Sequence, residues 1–144
     1  MAIQLQLRKG TKVQNDAFTG AEGELTYDTD SKGLRVHDGQ TPGGHMIDTV
    51  VAWQVPTAEN NYTWYRKYAS GWVEQGGSFT GVSGTITLPV VMADINYTLL
   101  MLPHLNDNQS IQYYQAGHTK TTTGFSYNSA NNRQFDWRAE GMAA

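Results

Sequence analysis

The chain has 144 residues, a mass of 16.0 kDa and a formal charge of −3, enough for one domain or two small modules. A pI near 5.7 leaves no electrostatic footprint for nucleic acid or an anionic membrane. Charged residues make up 16%, and Leu, Ile, Val and Phe number only 27, thin for a core. Aromatics reach 11%, with 8 Tyr and 4 Trp, and net charge is low, which argues against disorder. A folded, mostly β protein rich in Thr, Gly, Asn and Gln is expected. Cysteine is absent, which removes disulfides, thiolate catalysis and Cys-ligated zinc. The N-terminal MAIQLQLRKG has no apolar run of signal-peptide length, and the longest apolar stretch, Leu99 to Leu102, cannot span a bilayer. Synthesis in a cytoplasm, without membrane insertion, is the expectation.

The first module is expected over residues 1–48. Ile3, Leu5 and Leu7 alternate with polar residues, the period of a half-buried strand. A polar, Gly-rich connection from Lys9 to Gly23 follows, with Phe18 as its one large anchor. Glu24 to Asp28 and Leu34 to Asp38 flank the turn-rich Thr29 to Gly33 and predict a β-hairpin. Leu25 and Tyr27 should share one face with Leu34 and Val36. The hairpin tip resembles a calcium loop only superficially, because Lys32 and Gly39 stand where oxygen ligands are needed. Asp38-Gly39 and Pro42-Gly43-Gly44 mark further turns.

Residues 49–60 are too apolar for a free linker, with Val50, Val51, Trp53 and Val55 ahead of Pro56. A packed connector or short strand is expected there. Residues 61–144 read as a series of short strands. Trp64 to Tyr68 and Trp72 to Gln75 form a hairpin around Ala69-Ser70-Gly71. Further strands are predicted at 85–90, 96–102, 111–116, 124–127 and 135–140, with loops at 76–84, 103–110, 117–123 and 128–133. That spacing predicts an antiparallel β-sandwich in an all-β chain. No helical periodicity, heptad or internal repeat stands out.

Catalytic patterns are missing. Glu22, Glu24, Asp28, Asp30 and Asp38 fall around turns, no Gly-x-Ser-x-Gly or phosphate loop is present, and the four His lack ligand spacing. No catalytic residue, metal site or cofactor is therefore expected within one chain, a metal shared across symmetry-related copies stays open, and the enzyme reading is weak. Three Asn-x-Ser/Thr matches, at Asn61, Asn96 and Asn108, carry no weight without a leader. Binding fits better. Trp and Tyr offer a rigid face with a hydrogen-bonding edge, which suits sugars. Trp64, Trp72 and Trp137 are assigned mainly to core or interface. Tyr113 and Tyr114 are adjacent, so on a strand one ring must leave the sheet face the other occupies. With the loop residues His104, Asn106, Asp107, His118, Lys120, Asn131 and Arg133 they make up the expected ligand contacts. Two small modules with thin cores and open sheet edges also predict self-association.

A resemblance adds to this. Leu7 to Thr11, Gln14 to Leu25, Tyr27 to Asp30, Leu34 to Gly39 and Gly43 to His45 resemble the N-terminal module of bacteriophage fibre and receptor-binding proteins, the major tropism determinant among them. More loosely, Trp64 to Tyr68, Gly71 to Gly77, Thr85 to Leu88 and Trp137-x-Ala139-x-Gly141 are similar to tail-fibre C-terminal domains. The resemblance implies a homotrimeric protein of the virion, on its tail or capsid surface. Its N-terminal module would intertwine the copies and attach to other virion proteins. Its C-terminal knob would bind host polysaccharide or lipopolysaccharide. The modules are nearly adjacent, where such fibres usually carry a long stalk. That departure admits a short minor fibre, a head fibre or a decoration protein. A structural decoration protein and a polysaccharide depolymerase are the rival readings.

Overall fold

A computed structural model describes residues 6–103 and 115–144, with the backbone alone at 115–118 and 129–133. The chain falls into two compact units, Met1–Val51 with Tyr68–Ser70, and Ala52–Lys67 with Gly71–Ala144. Both are built of strands.

In the first unit, β1 (Arg8–Gly10) runs parallel to β2 (Leu25–Asp28), which pairs with β3 (Leu34–Val36), which pairs with β4 (His45–Ile47), both antiparallel. The polar connection after β1 holds one helical turn, α1 (Lys12–Asp16). Thr11 caps it: its hydroxyl accepts from the Gln14 N–H, while the Gln14 side chain accepts from the Thr11 N–H. A second local device makes the hairpin tip. One oxygen of Asp28 accepts the N–H groups of Asp30 and Ser31, an Asx-type turn.

The predicted hairpin registers as expected, with Leu25 opposite Val36 and Tyr27 opposite Leu34. That apolar face is the open one, however. Leu25 is 37% exposed, and Ile47, which joins the face opposite Leu34, is 43% exposed. The buried face carries Thr26, Asp28 and Arg35. Polar side chains can be enclosed there because each finds partners. Arg35 Nη2 lies 2.7 Å from Asp28 Oδ2, while Nη1 lies 2.8 Å from Asp16 Oδ1 and donates to the Gly43 carbonyl. The buried Asn15 amide donates to the carbonyls of Gly10 and Thr11. His37 Nδ1 accepts the Gly20 N–H, so the neutral ring carries its proton on Nε2 and donates to Thr26 Oγ1 at 3.0 Å.

The second sheet holds β5 (Val50–Gln54), β6 (Trp64–Tyr68), β7 (Trp72–Thr87), β8 (Thr98–Pro103), β9 (Gln115–Thr121) and β10 (Gly124–Met142). They hydrogen-bond in the order β5-β6-β7-β10-β8, with β9 pairing the other end of β10. The predicted loops at 76–84 and 128–133 are instead strand. β7 runs 16 residues and β10 runs 19. Between their two paired stretches, residues 129–132 of β10 stand opposite Val82 alone. A bulge of that size bends a strand pair sharply.

The bend makes the two layers. Phe125, in the far half of β10, meets Trp137, in its near half, edge to face at 5.5 Å. Phe79 contacts both Tyr127 and Phe135, at 4.1 and 5.2 Å. The Tyr97 hydroxyl donates to the Gly124 carbonyl across the same space. Val73, Leu88, Met92, Tyr97, Phe125, Trp137 and Ala139 form the core between the layers. Alternation along β10 follows: Phe135, Trp137, Ala139 and Gly141 are buried, while Gln134, Asp136, Arg138 and Met142 are exposed. Each large buried ring contributes about 1.5–3 kcal/mol.

Candidate functional site

The outer face of the near layer is open to solvent. Register places Trp64, Gly76, Arg138 and Leu100 in one row across it, and Arg66, Glu74, Glu140 and Thr98 in the next. Trp64 can lie down over its neighbour because that neighbour is Gly76. A Cβ there would come within 2.8 Å of Trp64 Nε1 and 2.7 Å of the Trp137 carbonyl. Beyond Trp64, Trp53 and Val55 stand 66% and 60% exposed. Together they wall a cleft of about 460 Å³, with Arg66, Glu74 and Arg138 in its lining. Arg138 is fixed from both sides, with Nη2 3.2 Å from Glu74 Oε1 and Nε 3.0 Å from Glu140 Oε1. Arg66 is exposed and has no ion-pair partner among the described residues.

A second cleft, about 590 Å³, opens where the bent β7 brings Ser78 and Thr80 near Thr85 and Thr87. Hydroxyls dominate its lining, together with Thr63 and Gln134. Tyr62 stands at it, 54% exposed. Asn61 and Tyr62 both adopt φ of 53°, the left-handed region uncommon for side-chain-bearing residues. The Ser78 hydroxyl is already occupied: its Oγ donates to the Phe135 carbonyl and accepts from Gln134 Nε2.

Of the ligand contacts expected from sequence, His118, Lys120, Asn131 and Arg133 lie on described strands. His104, Asn106, Asp107, Tyr113 and Tyr114 lie outside the described residues. His118 sits on β9, and Asn131 and Arg133 sit on β10, as strand backbone rather than loop. Arg133 is paired with Gly81. Lys120 is partly buried, its ammonium donating to the Tyr97 carbonyl at 2.7 Å and lying 4.8 Å above the Tyr97 ring. Trp137 is core, as expected, but Trp64 lies on the outer face and Trp72 is partly exposed. The signal for the cleft was present in the alternation Trp64-x-Arg66, Glu74-x-Gly76 and Arg138-x-Glu140, which sets these residues on one face once the strands are paired. Among the described residues, no three His, Asp or Glu side chains converge as metal ligands would. No helix among them is long and apolar enough to cross a membrane.

Comparison with known proteins places the chain's likeness among phage receptor-binding fibre proteins. More particularly, residues 5–41 match the major tropism determinant N-terminal domain. The tail fiber receptor-binding protein of Bordetella phage BPP-1 is 47% identical over 47 residues, which is 33% of this chain and 12% of that one. The match therefore spans about an eighth of that relative's length. Two solved variants of the major tropism determinant, P3c and U1, are 31% identical over 44% of this chain and 20% of theirs, with TM-scores of 0.29. An N-truncated R2-type pyocin tail fiber is 15% identical over 65% of this chain and 39% of its own, with a TM-score of 0.42.

Proposed function

We propose that the chain is a homotrimeric fibre protein of a phage virion, and that its second unit binds a glycan of the host cell surface. The observation that carries this reading is the tropism-determinant N-terminal domain at residues 5–41, joined to a β-unit that presents aromatic side chains to solvent. A module shared with a receptor-binding protein supplies the context. Exposed Trp and Tyr supply a surface suited to sugar rings. The open apolar face of the first unit supports self-association: Leu25, Tyr27, Leu34, Val36 and Ile47 share it, and none is fully buried in a single copy. Three weak sites on one particle gain avidity through effective concentration, roughly 10²–10⁴-fold, without new contacts. The reading makes the protein a binder and not a depolymerase.

Adsorption tests it. Purified protein should occupy the host surface and slow adsorption of the phage that carries it, without releasing reducing sugar from host polysaccharide. Normal adsorption in the presence of saturating protein would leave a structural decoration role in its place. Sugar release would revive the enzyme.

A further inference from the structure

We infer that the cleft between Trp53 and Trp64 is the sugar subsite, and that it takes a neutral hexopyranose unit of a surface polysaccharide. This rests on the receptor-binding reading above and narrows it to one of the two clefts and one ligand class. Three observations converge.

The first is the pair of indoles. Trp53 is 66% exposed on β5, and Trp64 rests on Gly76 while lining the same cleft. A large rigid ring left open to water beside a second, half-buried one is uncommon without a ligand or partner. The C–H face of a pyranose matches an aromatic face, and its hydroxyls need donors and acceptors at the rim. The second observation is that the rim has them, already oriented. Glu74 and Glu140 hold the Arg138 guanidinium from two directions, so little side-chain freedom remains to be lost on binding. Arg66 adds donors with no ion-pair partner among the described residues. The third is charge. The lining holds Arg66, Arg138 and Glu74, and Glu140 pairs with Arg138 from beside the cleft, so the charges there offset one another. An acidic sugar would gain Arg66 but meet Glu74 directly across the strand pair. A neutral ring incurs no such repulsion. The hydroxyl-lined cleft by Tyr62 has no such pair of indoles, and its Ser78 hydroxyl is bonded on both sides.

The test uses the full chain and its indole N–H resonances. Methyl hexopyranosides and the matching uronic acids are titrated at millimolar concentration. The Trp53 and Trp64 signals should move with neutral sugars, and the buried Trp137 signal should stay. Trp53→Ala and Arg66→Gln, both exposed positions that leave the core intact, should each weaken binding of host polysaccharide about tenfold or more. Tyr62→Ala, in the other cleft, should not weaken it. Unchanged binding by Trp53→Ala and Arg66→Gln, with the wild-type protein still bound to host cells, would overturn the site and leave the receptor reading intact. Movement with uronic acids alone would overturn the ligand class. A Trp53→Ala protein that falls from trimer to monomer would make this face a contact between copies and overturn the proposal. Absence of any binding by the wild-type protein to host cells would bring down the receptor reading itself.

Discussion

Arg35 shows how a small unit with few large apolar side chains holds its interior. Its guanidinium is enclosed, with Asp28 fully buried on one side and Asp16 on the other. Burial pushes the Asp28 carboxyl up, but the Ser31 N–H, the Arg35 guanidinium and the Asp30 N–H together outweigh it and hold the group below its ordinary value. Lys12 and Arg35 lower Asp16 likewise. Removing one partner is therefore costly. Arg35→Met should destabilise the protein by about 3–5 kcal/mol, because Asp28 is left as an uncompensated buried charge. Adding Asp28→Asn to that variant should recover part of the loss, and chemical denaturation of the two variants measures the coupling. The same depressed carboxylates set the acid limit. Their contribution is complete above the ordinary carboxylate value of 3.8 and is lost as pH falls through the lower folded value. The melting temperature should thus be insensitive to these groups from neutrality to about pH 4 and fall below it, less steeply in Asp28→Asn. A wild-type melting temperature that holds constant to pH 2 would contradict the network's role. None of this was readable from spacing, since Asp16, Asp28 and Arg35 become neighbours only through the β2–β3 pairing and the turn of α1.

At the level of elements, the hairpin from Leu25 to Val36 was legible because its signals are local: alternation, a turn-forming Asp, and a short loop. The length of β7 and β10 was not. Gly76, Gly77, Gly81 and Gly84 read as loop residues, yet each sits in strand because something lies where its side chain would be. Trp64 covers Gly76, Trp137 and Thr63 crowd Gly77, and the Tyr127 hydroxyl lies over Gly81 and Gly84. Outside the core the strand pair is also solvent-exposed, with Val82, Ser83, Gly84 and Thr85 open, so nothing imposes an apolar alternation. The outer cleft was hidden for a related reason. Trp64 reads as core from its type alone, and only the register opposite Gly76 turns it outward. Gly124 tests the fold-over. It opens β10 opposite Thr87, and a Cβ there would overlap the Ile86 carbonyl, a backbone group that cannot swing aside. Gly124→Ala should destabilise by about 1–3 kcal/mol through overpacking. A thermal shift no larger than that of an exposed surface substitution would show that the bend relaxes freely.

For the whole molecule, the decisive question is whether other copies bury the first unit's open face. The fully enclosed side chains of that unit are polar, and the large apolar side chains Leu25, Tyr27, Leu34, Val36 and Ile47 share the opposite sheet face. Arg35 and Asp28 fix geometry but are weak net sources of stability, since a buried pair spends most of its attraction on lost hydration. The apolar face is where a hydrophobic gain remains to be made, at about 25 cal/mol for each Å² covered. β1 and β4 are also edge strands of that sheet, which a neighbouring copy can cover. Leu25→Lys and Ile47→Lys place two charges on the face at positions already partly in water, so a single copy tolerates them. In the assembled protein the same charges would be buried against apolar neighbours. The wild-type chain should show three times its 16.0 kDa mass by sedimentation or native mass spectrometry, and the double variant should show one. The melting temperature of the wild type should rise with protein concentration, and that of the variant should not, because association draws stability from mass action. A wild-type chain that sediments as one copy, or a double variant that stays trimeric, would mean that the face is covered in some other way and that the fibre model loses its axis.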